Sequence, residues 1–289
     1  MISILQLGTI DYATGLRLQE RLVDLRKEGR IGDALLLLEH SPVITLGRNA
    51  KANNIVAAPE LLTQRGVDVF ECNRGGDVTF HGPGQLVAYP IFDLRGFPSR
   101  RANRNTMGVI EFVRNLEEVL IRTCAKFGIP TKRIPGLTGV WTGEDARRSK
   151  DHVGTAVLGR PVERSSTQPE SHHDSTQEAK IAALGVHISR GVTSHGIALN
   201  VNTDLSFFDL IVPCGITSKP VTSIANELDH EIPMQDVAHV LARNFSQVFS
   251  SQVLWLDSLE ALLGNNLGVP MSPPEDLRKL RSEDDTTFA

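Results

Sequence analysis

A cysteine and a lysine in this sequence have the local surroundings of reactive groups. Cys214 lies between Pro213 and Gly215, which predicts a loop at the end of an apolar strand over 207–212. A thiol in such a loop could act as a nucleophile, although a free cysteine is only about a few per cent thiolate at pH 7 and needs a neighbouring cation or base. Lys180 is one candidate for that role, because its charged side chain opens an otherwise apolar stretch.

Several partners for the thiol, and a purely structural role, stay open at this point. His81, His187 and His195 are alternative helpers for Cys214, and sequence spacing does not rank them. Lys180 could instead be an edge-strand residue whose amine extends to solvent. The residue types alone therefore leave a structural and a nucleophilic role for Cys214 equally open.

The segment 74–85 contains four glycines, one arginine and one histidine, and it predicts a binding loop. Glycine lets another molecule approach the main chain closely. The glycines do not have the G-x-G-x-x-G spacing of a dinucleotide loop, and no Gly-Lys-Ser/Thr ends the segment as in a P-loop. The alternative interpretation is a glycine-rich hairpin turn, with no nucleotide site in either case.

Composition narrows the class of protein. The 289 residues are 40% hydrophobic and 22% charged with a formal net charge of -4, which is typical of a globular protein and not of a nucleic-acid binder. No apolar run approaches the roughly 20 residues that cross a bilayer, and the first residues lack a signal-peptide pattern. Three cysteines do not make a disulfide framework. We therefore expect a cytoplasmic protein without a membrane or nucleic-acid partner.

Apolar periodicity predicts an α/β protein that must position these groups. Short apolar or alternating runs predict strands, and amphipathic spacing predicts helices. The predicted strands are 2–7, 34–38, 43–46, 67–72, 86–89, 181–188 and 193–202, and the predicted helices are 11–28, 107–127 and 235–250.

Two regions fall outside this pattern. Residues 142–179 are mostly polar, so we expect a mobile insertion there. The run His172–Asp174 inside it has no second ligand pair, and no metal site is predicted. We expect a catalytic domain over 1–250 and a partly disordered C-terminal extension over 251–289.

Taken together, the motifs resemble the octanoyl-[acyl-carrier-protein]:protein octanoyltransferases, the lipoate-protein ligase B family. The resemblance covers about residues 5–242 in one consistent order. The chain differs from the family at the insertion 142–179 and at the tail after about residue 251. The matching segments are Thr45-Leu46-Gly47-Arg48, Arg74 to Gln85, Lys180 to Gly185, His195 to Val201 and Ile211 to Ile216.

The resemblance implies a fold and an activity. The fold would be α/β, with a larger mixed sheet and a small sheet flanked by helices, like the catalytic module of biotin and lipoate ligases. The activity would transfer octanoate from octanoyl-acyl carrier protein to the ε-amine of a lysine on a lipoyl domain, without ATP, metal or other cofactor. The acceptors would be lipoyl domains of 2-oxoacid dehydrogenase E2 subunits and the glycine cleavage H protein.

The resemblance also assigns roles to residues. Cys214 would carry the acyl group as a thioester, and Lys180 would be its general acid and base. Whether His81 transfers protons stays open, and an ATP-dependent ligase of the same fold and a non-catalytic acyl-binding module are the rival interpretations. The implied acyl pocket consists of Arg74, Gly75, Gly76, Asp77, Val78, Thr79, Phe80, His81, Ala183, Leu184, Gly185, Gly196, Ile197 and Ala198.

Overall fold

The computed structural model describes residues 1–100, 104–143, 178–213 and 219–265. Within these ranges the chain forms two sheets and the helices that cover them. The strands are β1 (Ile2–Ile10), β2 (Asp33–His40), β3 (Val43–Leu46), β4 (Asp68–Glu71), β5 (Val78–His81), β6 (Gln85–Ile91), β7 (Thr131–Ile134), β8 (Leu137–Thr142), β9 (Lys180–Ser189), β10 (Val192–Asn200) and β11 (Val253–Leu256). The helices are α1 (Tyr12–Lys27), α2 (Pro59–Gln64), α3 (Val109–Lys126), α4 (Ile224–Leu228), α5 (Met234–Val248) and α6 (Leu259–Asn265).

The larger sheet is mixed, as predicted. Its eight described strands run in the order β11-β1-β2-β6-β10-β9-β8-β7. β1 is parallel to both of its neighbours, and every other pairing in this sheet is antiparallel. In the small sheet β3 lies between β4, which is parallel to it, and β5, which is antiparallel. The predicted fold class is therefore confirmed.

Strand β2 has apolar residues on both faces because each face of the larger sheet is covered by helices. Leu35 and Leu37 pack with α3 and α5 on one side, and Leu36 and Leu38 pack with α1 and α6 on the other. Side chains alternate across a strand, so one continuous apolar run serves both cores. Burying each leucine contributes about 1.5–3 kcal/mol.

Helix α1 begins and ends where the sequence predicts. The Asp11 carboxylate accepts a hydrogen bond from the Thr14 backbone N–H at 2.8 Å and caps the first turn. Gly29 follows the last turn with φ +72°, a conformation that favours glycine. Leu18 and Leu22 lie on the buried face and hold the helix against the sheet.

Two local predictions were wrong. The glycine-rich segment is not wholly a loop, because residues 78–81 form β5 and pair with β3. β-branched and aromatic side chains favour that pairing. The stretch before Cys214 is a 3-10 helix over Leu205–Leu210 and not a strand. The Asp204 side chain accepts from the Ser206 N–H at 3.0 Å at its start, while Phe208 is buried in the small-sheet core.

The chain after residue 250 continues the same structure as far as it is described. β11 pairs with β1, and Leu259, Leu262 and Leu263 of α6 pack in the core beneath α1. The division into 1–250 and 251–289 remains a prediction. Residues 144–177 of the predicted insertion and 266–289 of the predicted tail lie outside the described residues. Among those described, no helix has the length and apolar character to cross a bilayer.

Candidate functional site

A cavity is lined by residues of α1 and of both sheets, and its empty space, including open solvent at the mouth, is about 460 Å³. We call it the central cavity. It gathers the predicted pocket residues of three separate segments, except for Gly75, Val78 and Phe80. The lining residues are Tyr12, Arg74, Gly76, Asp77, Thr79, His81, Val87, Tyr89, Ala183, Leu184, Gly185, His195, Gly196, Ile197 and Ala198.

The alternation of β5 explains which predicted residues miss the central cavity. Thr79 and His81 line it, whereas Val78 and Phe80 point to the opposite side of the strand and belong to the small-sheet core. Phe80 stacks on Phe207 with ring centroids 4.7 Å apart. These two apolar residues therefore anchor the strand that presents the polar ones.

Glycines allow the walls of the central cavity to approach closely. A Cβ on Gly185 would lie 2.6 Å from the Gly75 carbonyl oxygen, and one on Gly196 would lie 2.1 Å from that of Ala88. Only hydrogen fits at such distances. The Gly75 N–H donates to the Val186 carbonyl at 3.0 Å, so the glycine-rich loop is hydrogen-bonded directly to β9.

A buried guanidinium lies in the wall of the central cavity. Arg74 is 7% exposed, and its Nε and Nη2 groups donate to the Thr45 hydroxyl at 3.1 and 2.8 Å. Nη2 also donates to the Thr45 carbonyl at 2.6 Å, and Nη1 donates to the Gly75 carbonyl at 3.1 Å. Because these partners are uncharged, the arginine contributes a positive potential to the cavity wall.

Three imidazoles cluster near that guanidinium and are neutral at pH 7. Burial, with a smaller contribution from the charge of Arg74, lowers the pKa of His81 to about 3 and that of His195 to about 3. Burial also lowers the pKa of His40 to about 4. A buried imidazole loses hydration when it is charged, so the neutral form is favoured. Their hydrogen-bonding nitrogens therefore act as neutral donors and acceptors.

Two tyrosines and one of these histidines were not predicted as site residues. His40, predicted as a turn residue, is the buried end of β2, and its Nδ1 donates to the Ile10 carbonyl at 2.9 Å. Tyr89 donates to His40 Nε2 at 2.7 Å. Tyr12, next to the cap of α1, is 3% exposed and stacks on the ring of His81 at 6.3 Å. No local pattern marks these residues, because only tertiary packing joins them.

His195 and His187, the other candidate helpers, occupy different places. His195 lines the central cavity, and its Nε2 donates to the Asn73 side-chain oxygen at 2.6 Å. His187 does not line that cavity, and its Nδ1 accepts from the Arg48 guanidinium at 2.9 Å. Of these two, His195 is therefore the one placed at the candidate site.

Lys180, the first residue of β9, is buried with only 6% of its surface exposed. This contradicts the interpretation that it extends to solvent. Its Nζ lies 5.1 Å from the centroid of the Trp141 ring, a cation–π distance. Its backbone N–H donates to the Pro220 carbonyl at 2.8 Å, and its carbonyl accepts from the Thr222 N–H at 2.9 Å. Lys180 thus lies beside the chain that follows residues 214–218.

Cys214 lies in the segment 214–218, outside the described residues, so its predicted meeting with Lys180 stays a prediction. On one side of this segment the Val212 N–H donates to the Asn54 carbonyl at 2.7 Å. On the other side Lys219 forms an ion pair with Glu178, and its Nζ is 6.0 Å from the Trp141 ring centroid. Lys219, the first described residue after this segment, therefore lies near the same indole as Lys180.

The other two cysteines have distinct environments. Cys124 is fully buried in α3, as its helical spacing predicts, and burial raises its pKa to about 12. Cys72 is partly buried and donates to the Leu46 carbonyl at 3.4 Å. In the described part of the chain, no group of three or more His, Cys, Asp or Glu residues is placed to hold a metal ion.

Comparison with known proteins identifies relatives of this chain. The lipoyl protein ligase A/B catalytic domain matches residues 11–246. An octanoyltransferase of Koribacter versatilis is 54% identical over 98% of both chains, and one of Acidobacterium capsulatum is 52% identical over 91% of this chain and 96% of its own length. The archaeal lipoylation system of Thermoplasma acidophilum, a bi-partite lipoate protein ligase and its E2 lipoyl domain, provides a structure with a TM-score of 0.59 at 17% identity, covering 89% of this chain and 86% of the other. That likeness shows a shared fold.

Proposed function

We propose that this chain, which belongs to the lipoyl protein ligase A/B catalytic domain family, is an octanoyltransferase of lipoate biosynthesis. It would move octanoate from octanoyl-acyl carrier protein to a lysine on lipoyl domains of 2-oxoacid dehydrogenase E2 subunits and of the glycine cleavage H protein. The observation that carries the proposal is the central cavity, which is lined by predicted motif residues. Three of them, Ala183, Leu184 and Gly185, lie on β9, the strand that begins at Lys180. A cytoplasmic location is part of the proposal.

The central cavity suits an acyl chain. Val87, Leu184 and Ile197 provide apolar surface, and the glycines and alanines that line the cavity beside them add no long side chain to fill it. Each buried methylene contributes about 0.8 kcal/mol, so an octanoyl chain gains several kcal/mol from such a slot. Lys180 precedes Ala183 by three residues on β9, about 10 Å along a strand, so the thioester end would lie near the lysine and the tail farther along.

In the proposed mechanism Cys214 attacks the carbonyl carbon of the octanoyl thioester. The new carbon–sulfur bond forms as the bond to the carrier breaks, and the carrier sulfur leaves as a thiol after taking the proton that Cys214 had passed to Lys180. The ammonium of Lys180 stabilises the Cys214 thiolate by its opposite charge. Thioester exchange is nearly even in free energy, so this step needs no nucleotide.

The second half-reaction forms an amide. The acceptor lysine attacks the acyl-enzyme carbonyl, a carbon–nitrogen bond forms, and the carbon–sulfur bond to Cys214 breaks with the sulfur as the leaving group. Once Cys214 is acylated, Lys180 has lost that counter-charge and has given its proton to the departing carrier sulfur, so its amine is free to act as a base. Neutral Lys180 then takes a proton from the attacking amine and returns it to the leaving sulfur. Conversion of a thioester to an amide runs downhill.

Intact-mass analysis tests the acyl-enzyme. After incubation with octanoyl-acyl carrier protein and no nucleotide, we expect the wild type to gain one octanoyl group and Cys214→Ala to gain none. Cys72→Ala, which removes a partly buried thiol outside the proposed chemistry, is the matched control and should behave as the wild type. A wild-type adduct that persists in Cys214→Ala contradicts the proposal, and a strict requirement for ATP favours the ligase.

A pair of lysines over one indole gives a sharp test of the general base. Lys180→Met keeps an unbranched side chain against Trp141 but removes the amine, so both half-reactions should slow by about 10²–10⁴-fold. Lys219→Met makes the same change at the other lysine over that ring and should leave the chemical steps intact. Rapid-quench measurement of each half-reaction distinguishes the two, and equal rates for Lys180→Met and wild type exclude the role.

A further inference from the structure

Two buried amide side chains connect the central cavity to the strand that begins at Lys180. Gln85 and Asn200 are 2% and 4% exposed, and neither lies among the catalytic residues proposed above. His81 Nδ1 is 2.7 Å from Gln85 Oε1, Gln85 Nε2 donates to Asn200 Oδ1 at 2.9 Å, and Asn200 Nδ2 donates to the Thr222 carbonyl at 2.9 Å. A hydrogen-bonded chain therefore runs from the histidine to the segment after residue 218.

The direction of this chain follows from its two ends. The Thr222 carbonyl only accepts, so the Asn200 amide must present its NH₂ group there and its oxygen to Gln85. Gln85 Nε2 also donates to the Phe80 carbonyl at 3.2 Å, which leaves the Gln85 oxygen as the atom facing His81. An amide oxygen accepts hydrogen bonds and does not donate them. His81 Nδ1 therefore carries the hydrogen.

This assignment fixes what His81 offers to a ligand. A neutral imidazole with hydrogen on Nδ1 has a lone pair on Nε2. Among the residues that the structure describes, Nε2 has no hydrogen-bond partner, while the residue lines the central cavity. At this position the cavity wall consequently presents an acceptor, and an acceptor does not stabilise an oxyanion.

At its other end the chain supports the position of Lys180. The Thr222 N–H donates to the Lys180 carbonyl and the Lys180 N–H donates to the Pro220 carbonyl, so residues 220–222 run beside the start of β9. Asn200 holds the same short segment from the β10 side through the Thr222 carbonyl. The amides thus connect the two regions that the proposed reaction must coordinate.

We propose that Gln85 and Asn200 are positioning residues that hold His81 as a hydrogen-bond acceptor, so that His81 orients an N–H or S–H group of a substrate and transfers no proton. The inference rests on the proposed function for the identity of those groups, namely the carrier thiol that the thioester donor releases and the acceptor amine. It assigns all proton transfer to the Cys214–Lys180 pair.

The surroundings of His81 support a role without proton transfer. General acid–base groups work best with a pKa near the operating pH, and burial lowers the pKa of His81 to about 3. The titratable or charged groups that face it are Tyr12 of α1, His40 of β2, Arg74 and His195 of β10. At neutral pH only the arginine among them is charged, and it opposes a second cation.

Nitrogen-15 NMR of the histidine rings tests the tautomer without any assay of activity. In the wild-type protein we expect His81 to be neutral between pH 5 and 8, with a protonated Nδ1 and an unprotonated Nε2. The His81→Asn variant identifies the signals by their loss. A hydrogen on Nε2, or an imidazolium at pH 6, overturns the inference even if octanoyl transfer is confirmed.

Variants of the two amides then test the positioning role. Gln85→Leu is apolar and of similar size, so it should give a mixture of His81 tautomers and slow acyl-enzyme formation about 10-fold or more. Asn200→Ala should shift the same signals less, because the Phe80 carbonyl still orients Gln85. Asn244→Ala, which removes a buried amide bonded to Thr123 at 3.0 Å between α5 and α3, is the control.

The outcomes separate cleanly. His81 signals that move in Gln85→Leu and Asn200→Ala but stay in Asn244→Ala support the inference, as does a rate loss confined to the first two variants. Equal shifts in all three variants would show general loosening and overturn it. If the wild type forms no acyl-enzyme, the proposed function fails, whereas the NMR measurement still decides the tautomer.

Discussion

Replacing Gly185 by alanine should detach the glycine-rich loop from β9. The added Cβ would lie 2.6 Å from the Gly75 carbonyl oxygen and 3.1 Å from Arg74 Cδ. The first distance is about 0.8 Å shorter than an ordinary contact of roughly 3.4 Å. The atom it meets is main chain, so no flexible side chain can rotate away, and the loop itself must move.

The cost can be worked from those contacts. Overpacking of this kind costs about 1–3 kcal/mol. Displacing the loop also stretches the hydrogen bond from the Gly75 N–H to the Val186 carbonyl, now 3.0 Å, which is worth about 0.5–1.5 kcal/mol. Alanine restricts the unfolded chain more than glycine does and returns about 0.4–1 kcal/mol. We therefore expect Gly185→Ala to lower the free energy of unfolding by about 0.5–4 kcal/mol.

Urea unfolding measures this change directly. Gly96→Ala is the matched control, because a Cβ at Gly96 meets no atom within 4 Å, and it should equal wild-type stability or exceed it by up to about 1 kcal/mol. The variant at Gly185 should also acylate more slowly, since Arg74 and Gly76 line the central cavity. Equal unfolding midpoints for the two alanine variants would refute the close approach of loop and strand.

Three further expectations concern the surrounding structure. Thr45→Val keeps the side-chain shape but removes the hydroxyl that accepts from Arg74, so urea unfolding should show a loss of about 1–3 kcal/mol that Thr45→Ser avoids. Hydrogen bonds from Arg95 lower the pKa of Asp93, so the ionised carboxylate stabilises the fold above the unfolded pKa of about 4, and this stabilisation is lost as pH falls through the folded pKa. The difference in melting temperature between wild type and Asp93→Asn should therefore shrink on acidification. A difference that stays constant with pH would contradict this. Burial raises the pKa of Cys124 to about 12, so iodoacetamide should modify this thiol in urea but not in the native protein. Peptide mapping measures both. Labelling of the native protein would show that α3 opens.

Much of the fold and part of the site could be predicted because the signals are local. Asp11 and the spacing of apolar residues define α1, and the paired apolar faces of β2 follow from four consecutive leucines. The glycines of the binding segment were predictive as well, since close backbone approach requires them wherever the partner lies. Even so, β5 was mistaken for loop, because its four residues become a strand only by pairing with β3.

The rest of the candidate site depends on contacts between distant segments. Tyr12 and His40 reach His81 only after α1 and β2 have packed on the sheet. A histidine next to Ser41 and Pro42 has the sequence of a turn, and nothing local shows that its ring is buried against Tyr89. The burial of Lys180 is equally tertiary, because it depends on the Trp141 ring contributed by β8.

The hydrogen bond between His40 and Tyr89 has a consequence for strand alignment during folding. β2 is apolar on both faces, so a one-residue shift of its pairing with β6 would exchange leucines between the two hydrophobic cores at little cost in free energy. Polar contacts at the strand ends distinguish the correct pairing: Tyr89 donates to His40, and the Asp33 carboxylate accepts from the Asp93 N–H at 2.8 Å. Tyr89, which lines the central cavity, therefore also helps to fix the pairing of β2 with β6 in the larger sheet. A substitution at His40 that abolishes turnover would need its strand pairing verified before the loss is attributed to chemistry.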